Sequence, residues 1–261
     1  LLCRSRVCIE LTSQKQMALT GTKLRVIILS AVIVTVVGVV WFVYWPSQYA
    51  LDLPSHITAL TSDSGEQLLN ESVRKDYCGI EEHFVAQSHP AYCGPASSSI
   101  VLNALGVRVD GDKLDEKAVL TGGANSILSP QAVRQRGVTL DELSRILQAH
   151  SAKSQVFYGD DLELEEFRLL VAHNAMTEND YVLVNYLRSV AGQDGGGHIS
   201  PVGAYHAETD QILIMDVRRD KYPPGWISTE LLWKATKTRD PVSGKSRGIV
   251  TVSIPKRRAN L

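Results

Sequence analysis

The first chemical signal in the sequence is a cysteine at the start of a predicted helix. The pattern from Cys93 to Gly106 predicts this helix, because Pro95 is tolerated in a first turn and glycine suits a C-terminal end. Unpaired backbone N–H groups and the helix dipole favour an anion there, which lowers a thiol pKa from about 8.5 and supplies a nucleophilic thiolate. A lone cysteine is also often a small buried residue, so a nucleophilic role depends on a neighbouring base.

The second signal is a histidine and an aspartate that a predicted hairpin brings together. An alternating pattern predicts strands over 198–205 and 211–217, joined by a short polar turn. In that hairpin His198 lies across from the end of the second strand, near Asp216. A carboxylate can fix the tautomer of an imidazole whose other nitrogen faces a thiol. The sequence therefore predicts a triad with Cys93, in which Asp216→Asn lowers turnover with little effect on folding.

A side-chain amide precedes the cysteine in the same segment. Gln87 lies six residues before Cys93. If Cys93 is the nucleophile, the Gln87 amide can donate to a developing oxyanion together with the Cys93 backbone N–H. Without that nucleophile, Gln87 is interpreted as a solvated loop residue.

The elements around these residues predict an α+β domain, with helices first and an antiparallel sheet later. Thr139 and Glu142 form a capping box for an amphipathic helix, and Ser129-Pro130 opens a shorter helix before it. Further predicted elements are a helix over 161–176, strands over 181–187 and 248–254, and a helix capped by Ser228.

Length and composition limit the class of protein. The chain has 261 residues and a formal net charge of -1, with 44% hydrophobic and 21% charged residues. These values exclude a disordered chain and argue against a dedicated nucleic-acid-binding protein, which normally carries a basic excess. The four cysteines are too few for a disulfide scaffold and lack zinc-knuckle spacing.

One segment has the character of a membrane span. Val26–Trp45 carries no charge, and as a helix it would extend about 30 Å at about 1.5 Å per residue. Basic residues before it predict a cytoplasmic N-terminus and a periplasmic remainder, under the positive-inside rule. We predict an uncleaved signal anchor in the inner membrane, and a cleaved signal peptide is the alternative.

The predicted organisation follows from these segments. It comprises a cytoplasmic lead over 1–25 (of which 1–16 can precede a start at Met17), the anchor over 26–45, a stalk over 46–70, a catalytic domain over 71–255 and a tail over 256–261.

Three blocks of this sequence resemble the catalytic domain of phytochelatin synthases. The blocks are QSHPAYCGPAS over 87–97, GHISPVGAYH over 197–206 and DVRRDKYPPGW over 216–226. The similarity continues through LLW over 231–233 and DPVSGKSRG over 240–248. It covers roughly residues 71–255 and implies a papain-like cysteine-protease fold, in the short bacterial form that lacks a Cys-rich second domain.

The resemblance also implies roles for individual residues. Cys93 would be the acylated nucleophile, His198 the base and acid, Asp216 its orienting residue, and Gln87 an oxyanion donor. Asp240 and Arg247 would hold the γ-glutamyl end of glutathione, which suits their charges because Arg247 can pair with a carboxylate and Asp240 with an ammonium. The implied reaction is γ-glutamylcysteinyl transfer to a second glutathione, or hydrolysis, with a role in metal detoxification.

The resemblance predicts no required cofactor and no metal site built from the protein. Plant members have additional cysteines after the nucleophile helix, whereas residues 120–129 contain none. A heavy metal such as cadmium or zinc would then enter as a metal–glutathione thiolate or as an activator. A disulfide between Cys78 and Cys93 would block catalysis, and a buried, reduced Cys78 is the favoured interpretation.

Two other functions remain open at this point. A papain-fold peptidase that trims another peptide, such as a bacteriocin leader, would also use a cysteine, a histidine and an aspartate. A membrane-tethered module that binds thiol peptides without catalysis is the second alternative. Glutathione is the predicted small-molecule partner, the membrane the predicted location, and no nucleic acid is expected.

Overall fold

The computed structural model describes residues 51–254, and an antiparallel sheet of seven strands forms its centre. The strand order across the sheet is β1-β6-β5-β4-β3-β7-β2. The strands are β1 (Thr58–Ala59), β2 (Lys153–Tyr158), β3 (Asp180–Leu187), β4 (Gly197–His206), β5 (Gln211–Ile214), β6 (Gly225–Ser228) and β7 (Gly248–Ser253).

Eight α-helices and two short 3₁₀ turns surround this sheet in the described residues. The helices are α1 (Asp63–Glu71), α2 (Tyr77–Glu82), α3 (Cys93–Ala104), α4 (Gly123–Ile127), α5 (Pro130–Arg136), α6 (Leu140–Ala149), α7 (Leu164–Ala175) and α8 (Thr229–Thr236). The 3₁₀ turns lie at Ala118–Leu120 and Gly159–Asp161.

Both faces of the sheet are covered, which explains why the inner strand β3 is buried along nearly its whole length. In β3 the side chain of Leu183 joins a core with α3 and α6, whereas Val182 and Val184 join a second core with α7 and α8. Successive residues of a strand point to opposite faces, so a strand buried on both sides lacks an alternating pattern. The described residues thus have an α+β architecture with helices on either side of one antiparallel sheet.

The predicted helix ends are confirmed where capping residues define them. Ser129 accepts a hydrogen bond from the backbone of Ala132 at the start of α5, and Gly137 ends that helix at a φ of 76°. The Thr139–Glu142 capping box is complete at the start of α6. These local signals position the helix ends because each cap satisfies an N–H group that the first turn leaves unpaired.

The predicted hairpin is present and its second strand is shorter than expected. β4 pairs with β5 in antiparallel register, with a bulge between Val202 and Ala204. β5 ends at Ile214, so Asp216 lies just beyond the strand and not inside it. The chain continues from there as a loop, which lets the Asp216 side chain turn toward β4.

The predicted stalk is wrong for the residues that the structure describes. Residues 51–60, called here the N-terminal strap, include β1, which pairs with β6 at Thr58–Trp226 and Ala59–Gly225. The backbone N–H of Leu60 also donates to Pro224 O at 2.9 Å. The strap shows only weak periodicity in sequence because β1 has only two residues. The domain therefore begins well before Glu71.

The predicted membrane anchor at 26–45 lies outside the described residues. Within 51–254 we find no helix with the length and apolar character needed to cross a bilayer.

Candidate active site

His198 and Asp216 meet directly at the end of the β4–β5 hairpin. His198 Nε2 lies 2.9 Å from Asp216 Oδ1, and both side chains are buried. The backbone N–H of Arg218 donates to the same carboxylate oxygen at 2.8 Å, which holds Asp216 toward the ring. This is the contact that the hairpin pattern predicted.

Cys93 is the first residue of α3 and lines one cleft together with His198. Its thiol is partly buried and free, and it lies close enough to His198 for the imidazole to change its pKa. Because Asp216 occupies Nε2, Nδ1 is the ring nitrogen left for the thiol. Tyr92, which caps the helix, offers no side-chain hydrogen bond, so the N-terminal backbone groups remain available to an anion.

The close approach of α3 to β4 depends on a small residue after the nucleophile. A Cβ atom on Gly94 would lie 3.3 Å from Val138 and 3.6 Å from Ile199. Ser97 Oγ donates to Ile199 O at 3.1 Å and fixes the helix against the strand. The helix that carries the sulfur and the strand that carries the base are thereby locked together.

The electrostatics of the site favour a thiolate paired with an imidazolium. Burial alone would raise the pKa of Cys93, but the hydrogen bond and charge of His198 outweigh it and lower that pKa. Burial would likewise lower the pKa of His198, yet the Asp216 charge raises it. The pKa of Asp216 falls to about 2 despite its burial, because His198 and Arg188 stabilise the carboxylate.

Arg188 is a member of this network that the sequence analysis missed. Its Nη2 donates to Asp216 Oδ2 at 2.7 Å and to Oδ1 at 2.9 Å, and its Nη1 donates to Gln193 Oε1 at 2.8 Å. Arg188 is 3% exposed, and its guanidinium also lies against the rings of Tyr186 and Tyr222. Asp216 therefore pairs with a permanent buried cation as well as with His198.

Gln87 does not point its amide hydrogens at the nucleophile. Its Nε2 donates to His89 O at 2.8 Å and to Pro90 O at 3.1 Å, while its Oε1 is buried without a partner in the described residues. In this arrangement Gln87 stabilises the loop that precedes Cys93. A role as oxyanion donor stays a prediction, and it requires one of these two bonds to be exchanged.

Asp240 and Arg247 line the same cleft as the nucleophile and the base. The cleft has a volume of about 630 Å³ and is lined by Pro90, Ala91, Cys93, Arg136, Gly137, Val138, Asn185, Gly197, His198, Ile199, Asp240, Pro241, Val242 and Arg247. Asp240 is held by the N–H of Val242 and by the Ser243 hydroxyl. Four of the six predicted site residues thus line this cleft, and Asp216 contacts His198 directly. Gln87, the sixth, does not line the cleft.

Arg247 is buried in this cleft with unused hydrogen-bonding capacity. It is 5% exposed, and its Nη1 donates to Arg239 O at 2.6 Å. Its Nε is buried without a partner, and no ion pair among the described residues joins it to Asp240. Burial lowers the pKa of Arg247. An unpaired buried guanidinium in a cleft is suited to bind a carboxylate.

Comparison with known proteins assigns the family. The family model described as phytochelatin synthase matches residues 48–249. The chain belongs to the phytochelatin synthase family. The matched range includes the N-terminal strap and every predicted site residue, so the strap is part of the family domain.

Curated phytochelatin synthase relatives share about a third of their residues with the chain. Glutathione gamma-glutamylcysteinyltransferase 1 of Arabidopsis thaliana is 34% identical over 221 residues, which cover 82% of this chain and 46% of the relative. The Schizosaccharomyces pombe glutathione gamma-glutamylcysteinyltransferase is 30% identical over 216 residues, which cover 78% and 50%. The chain spans about half the length of the curated relatives it matches.

Solved structures give only a distant likeness. A double glycine motif protease from an AMS/PCAT transporter aligns at 13% identity over 66% of this chain and 90% of that chain. The peptidase domain of Streptococcus ComA aligns at 14% identity over 66% and 97%. Both have a TM-score of 0.40, which is too low to support an inference about this family member.

The N-terminal strap forms a wall behind the triad of this phytochelatin synthase family member. Leu53 and Ile57 line a small pocket together with Tyr186, Gln193 and Asp216. His56 Nε2 lies 3.0 Å from Ala191 O, which ties the strap to the turn that carries Gln193. A sequence signal for this packing was available only in the apolar Leu53 and Ile57, four residues apart.

Cys78 is the other cysteine within the described residues, and its surroundings differ from the prediction. Cys78 is exposed, so the prediction of a buried Cys78 is wrong, and both Cys78 and Cys93 are free. Across residues 51–254 no group of three or more histidine, cysteine, aspartate or glutamate side chains is arranged to hold a metal ion.

Proposed function

We propose that the chain transfers the γ-glutamylcysteinyl group of glutathione through a thioester on Cys93. The observation that carries this proposal is the position of Arg247 and Asp240 in one cleft with Cys93 and His198. A general peptidase needs no unpaired buried guanidinium beside its nucleophile. Glutathione has an α-carboxylate and an α-ammonium on its γ-glutamyl residue, and these charges match Arg247 and Asp240.

The first half of the reaction forms the thioester. The Cys93 thiolate attacks the carbonyl carbon of the Cys–Gly bond, and the tetrahedral oxyanion forms near the N-terminus of α3. The imidazolium of His198 gives its Nδ1 proton to the glycine nitrogen as the C–N bond breaks. Glycine leaves, and the γ-Glu-Cys acyl group remains on sulfur.

The second half returns the enzyme to its resting state. Neutral His198 takes a proton from the attacking water, or from the α-amine of a second glutathione. Attack on the thioester carbonyl releases the Cys93 thiolate and yields γ-Glu-Cys or a two-unit phytochelatin. Asp216 stays ionised throughout, because its pKa of about 2 lies far below that of the imidazolium.

Substrate position is the main contribution of the charged pair in this proposal. Arg247 and Asp240 bind a part of the substrate that does not react. Two fixed charges at that end place the scissile carbonyl over the sulfur and limit its motion, which favours a near-attack geometry. The family relation to curated glutathione gamma-glutamylcysteinyltransferases supports this substrate.

The finer predictions about the fold, location and metal also enter as proposals. We propose a papain-like arrangement, in which a nucleophile helix packs against the strand that carries the base. We propose that the uncharged Val26–Trp45 segment anchors the domain in the inner membrane, with its catalytic part periplasmic. Cadmium or zinc would act as a metal–glutathione thiolate or activator in metal detoxification, and no cofactor is required.

Product analysis tests the reaction directly. The purified chain is incubated with glutathione, with and without cadmium or zinc, and free glycine, γ-Glu-Cys and phytochelatin are quantified by mass spectrometry. We expect glycine release and a γ-Glu-Cys adduct on Cys93, both absent in Cys93→Ala. Cleavage of a longer peptide without glycine release would show a different peptidase, and glutathione binding without an adduct would show a non-catalytic module.

A further inference from the structure

Ser200 contacts the same ring nitrogen of His198 as Asp216 does. Residues two apart on a strand lie on one face, so His198 and Ser200 share a face of β4. Ser200 Oγ lies 2.8 Å from His198 Nε2, and Asp216 Oδ1 lies 2.9 Å from the same atom. Ser200 is 0% exposed, so bulk water does not compete for this contact.

The loop after β5 fixes the Ser200 hydroxyl oxygen in place. The backbone N–H of Val217 donates to Ser200 Oγ at 3.3 Å, one residue after Asp216 and one before the N–H that holds the Asp216 carboxylate. Ser200 Oγ and Asp216 Oδ1 are therefore held by consecutive backbone groups of the same segment. They form a preset pair of oxygens around one ring nitrogen.

The positions of the protons follow from the charge of Asp216. An ionised carboxylate can only accept a hydrogen bond, so Nε2 must carry a proton where it faces Asp216. Ser200 Oγ then cannot donate to Nε2 and acts as a second acceptor for the same N–H. Two acceptors on one N–H stabilise the charged imidazolium more than the neutral ring, because hydrogen bonds to charged groups are the stronger ones.

We propose that Ser200 is a positioning residue, which holds the His198 ring and stabilises its imidazolium form by sharing the Nε2 proton with Asp216. This role deepens the proposed function, because the imidazolium must survive until it protonates the leaving glycine. Ser200 itself touches neither the sulfur nor the substrate in this arrangement. Its effect acts through His198.

The ionisations of the Cys93 thiol and of the His198 imidazolium set the two sides of the pH profile for thiolate reactivity, and Ser200 is expected to affect only one of them. At low pH the thiol ionises beside an imidazolium that is already present, so the acid limb depends mainly on the charge of His198. At higher pH the imidazolium loses its proton beside the thiolate, so the alkaline limb depends on the stability of the imidazolium. Loss of Ser200 Oγ is expected to move the alkaline limb to lower pH and to leave the acid limb in place.

Alkylation of Cys93 in the full chain measures both limbs without glutathione. Iodoacetate is an anion, so its reaction with the thiolate slows once His198 loses its positive charge. The rate is followed against pH by mass spectrometry after digestion with a glutamate-specific protease, because Glu81 and Glu82 lie between Cys78 and Cys93 and cleavage there puts the two cysteines on separate peptides. For Ser200→Ala we expect the midpoint of the alkaline limb to lie roughly 0.5 to 1 pH unit lower than in the natural chain.

Ser99→Ala is the matched control for this variant. Ser99 is equally buried on α3, but its hydroxyl donates to Ala96 O within the helix. Identical alkaline limbs in folded Ser200→Ala, Ser99→Ala and the natural chain would overturn the proposal. If Ser200→Ala does not fold, Ser200→Cys fills the site with a weaker acceptor, and an unchanged limb in that variant would also overturn it.

The alkylation assay and the glycine-release assay together separate this proposal from the proposed function. If the alkaline limb shifts while the natural chain releases no glycine from glutathione, Ser200 tunes His198 and the substrate assignment fails. If glycine is released and the limb does not move, the transferase stands and the role of Ser200 is refuted. In the expected case, Ser200→Ala also lowers kcat for glycine release more than it changes KM.

Discussion

Replacement of Asp216 by asparagine should destabilise the whole domain as well as its catalysis. Sequence reasoning predicts a purely kinetic defect, because the carboxylate was assigned only to His198. The structure adds Arg188, whose side chain is 4% exposed beside an Asp216 side chain that is 2% exposed. Asp216→Asn leaves the guanidinium buried without an anion, and breaking one side of a buried ion pair costs about 3–5 kcal/mol.

This cost can be converted into a melting temperature. In a domain of this size, 1 kcal/mol shifts Tm by about 2–4 °C, so Asp216→Asn is expected to lower Tm by about 6–20 °C. The double variant Arg188→Met with Asp216→Asn replaces the pair by groups that carry no charge. Such replacements are often close to neutral, so the double variant should recover most of the lost stability.

Activity should not recover together with stability. The double variant still lacks the carboxylate that fixes the His198 tautomer, and that loss typically costs about 10⁴-fold in turnover. Thermal or urea unfolding and glycine release would be measured on both variants. Asp216→Asn with the natural Tm, or a double variant less stable than Asp216→Asn alone, would refute the reasoning from a buried ion pair.

Three further perturbations test other parts of the structure. A Cβ on Gly197 would lie 2.6 Å from Arg247 Nη2, whereas one on Gly196 meets nothing within 4 Å. Gly197→Ala and Arg247→Ala should therefore both raise KM for glutathione. Gly196→Ala is the control and should leave KM unchanged. Neither Gly197→Ala nor Arg247→Ala should affect a substrate without the γ-glutamyl carboxylate, and equal losses on both substrates would contradict this. Burial and the nearby Asp180 raise the pKa of Asp76 to about 9, so the folded state holds a proton that the unfolded chain loses above about 4, and stability falls as pH rises through that window. Asp76→Asn should raise Tm more at pH 8 than at pH 5, and a gain independent of pH would contradict this. Ile57→Ala should cost about 2–4 kcal/mol in urea unfolding, against less than about 0.5 kcal/mol for the exposed Ile254→Ala, and equal costs would show that the strap is not part of the core.

Local signals predicted the site well because the reacting groups lie at the ends of well-marked elements. Proline and glycine marked the ends of α3 around Cys93, and the hairpin pattern placed His198 near Asp216. Ser200 was within reach of the same reasoning, since it lies two residues from His198 on a predicted strand. The pattern gave no reason to single it out until the direction of the ring nitrogen was known.

Other features could not be predicted because they depend on contacts between distant segments. Arg188 lies in a turn, and only the three-dimensional fold reveals that it contacts Asp216, 28 residues away. The strap lacked an alternating pattern because β1 is very short and pairs at the sheet edge. The Gln87 amide points at carbonyl groups of its own loop, and no sequence rule distinguishes that arrangement from a free donor.

The packing of the strap behind Asp216 has a practical consequence for anyone who expresses this domain. A recombinant version that starts at Glu71, where the sequence pattern changes, would discard Leu53 and Ile57 and open the rear of the active site to solvent. Water at that position would compete for the guanidinium of Arg188 and weaken its ion pair with Asp216. Cloning boundaries and fusion tags therefore belong upstream of Leu51.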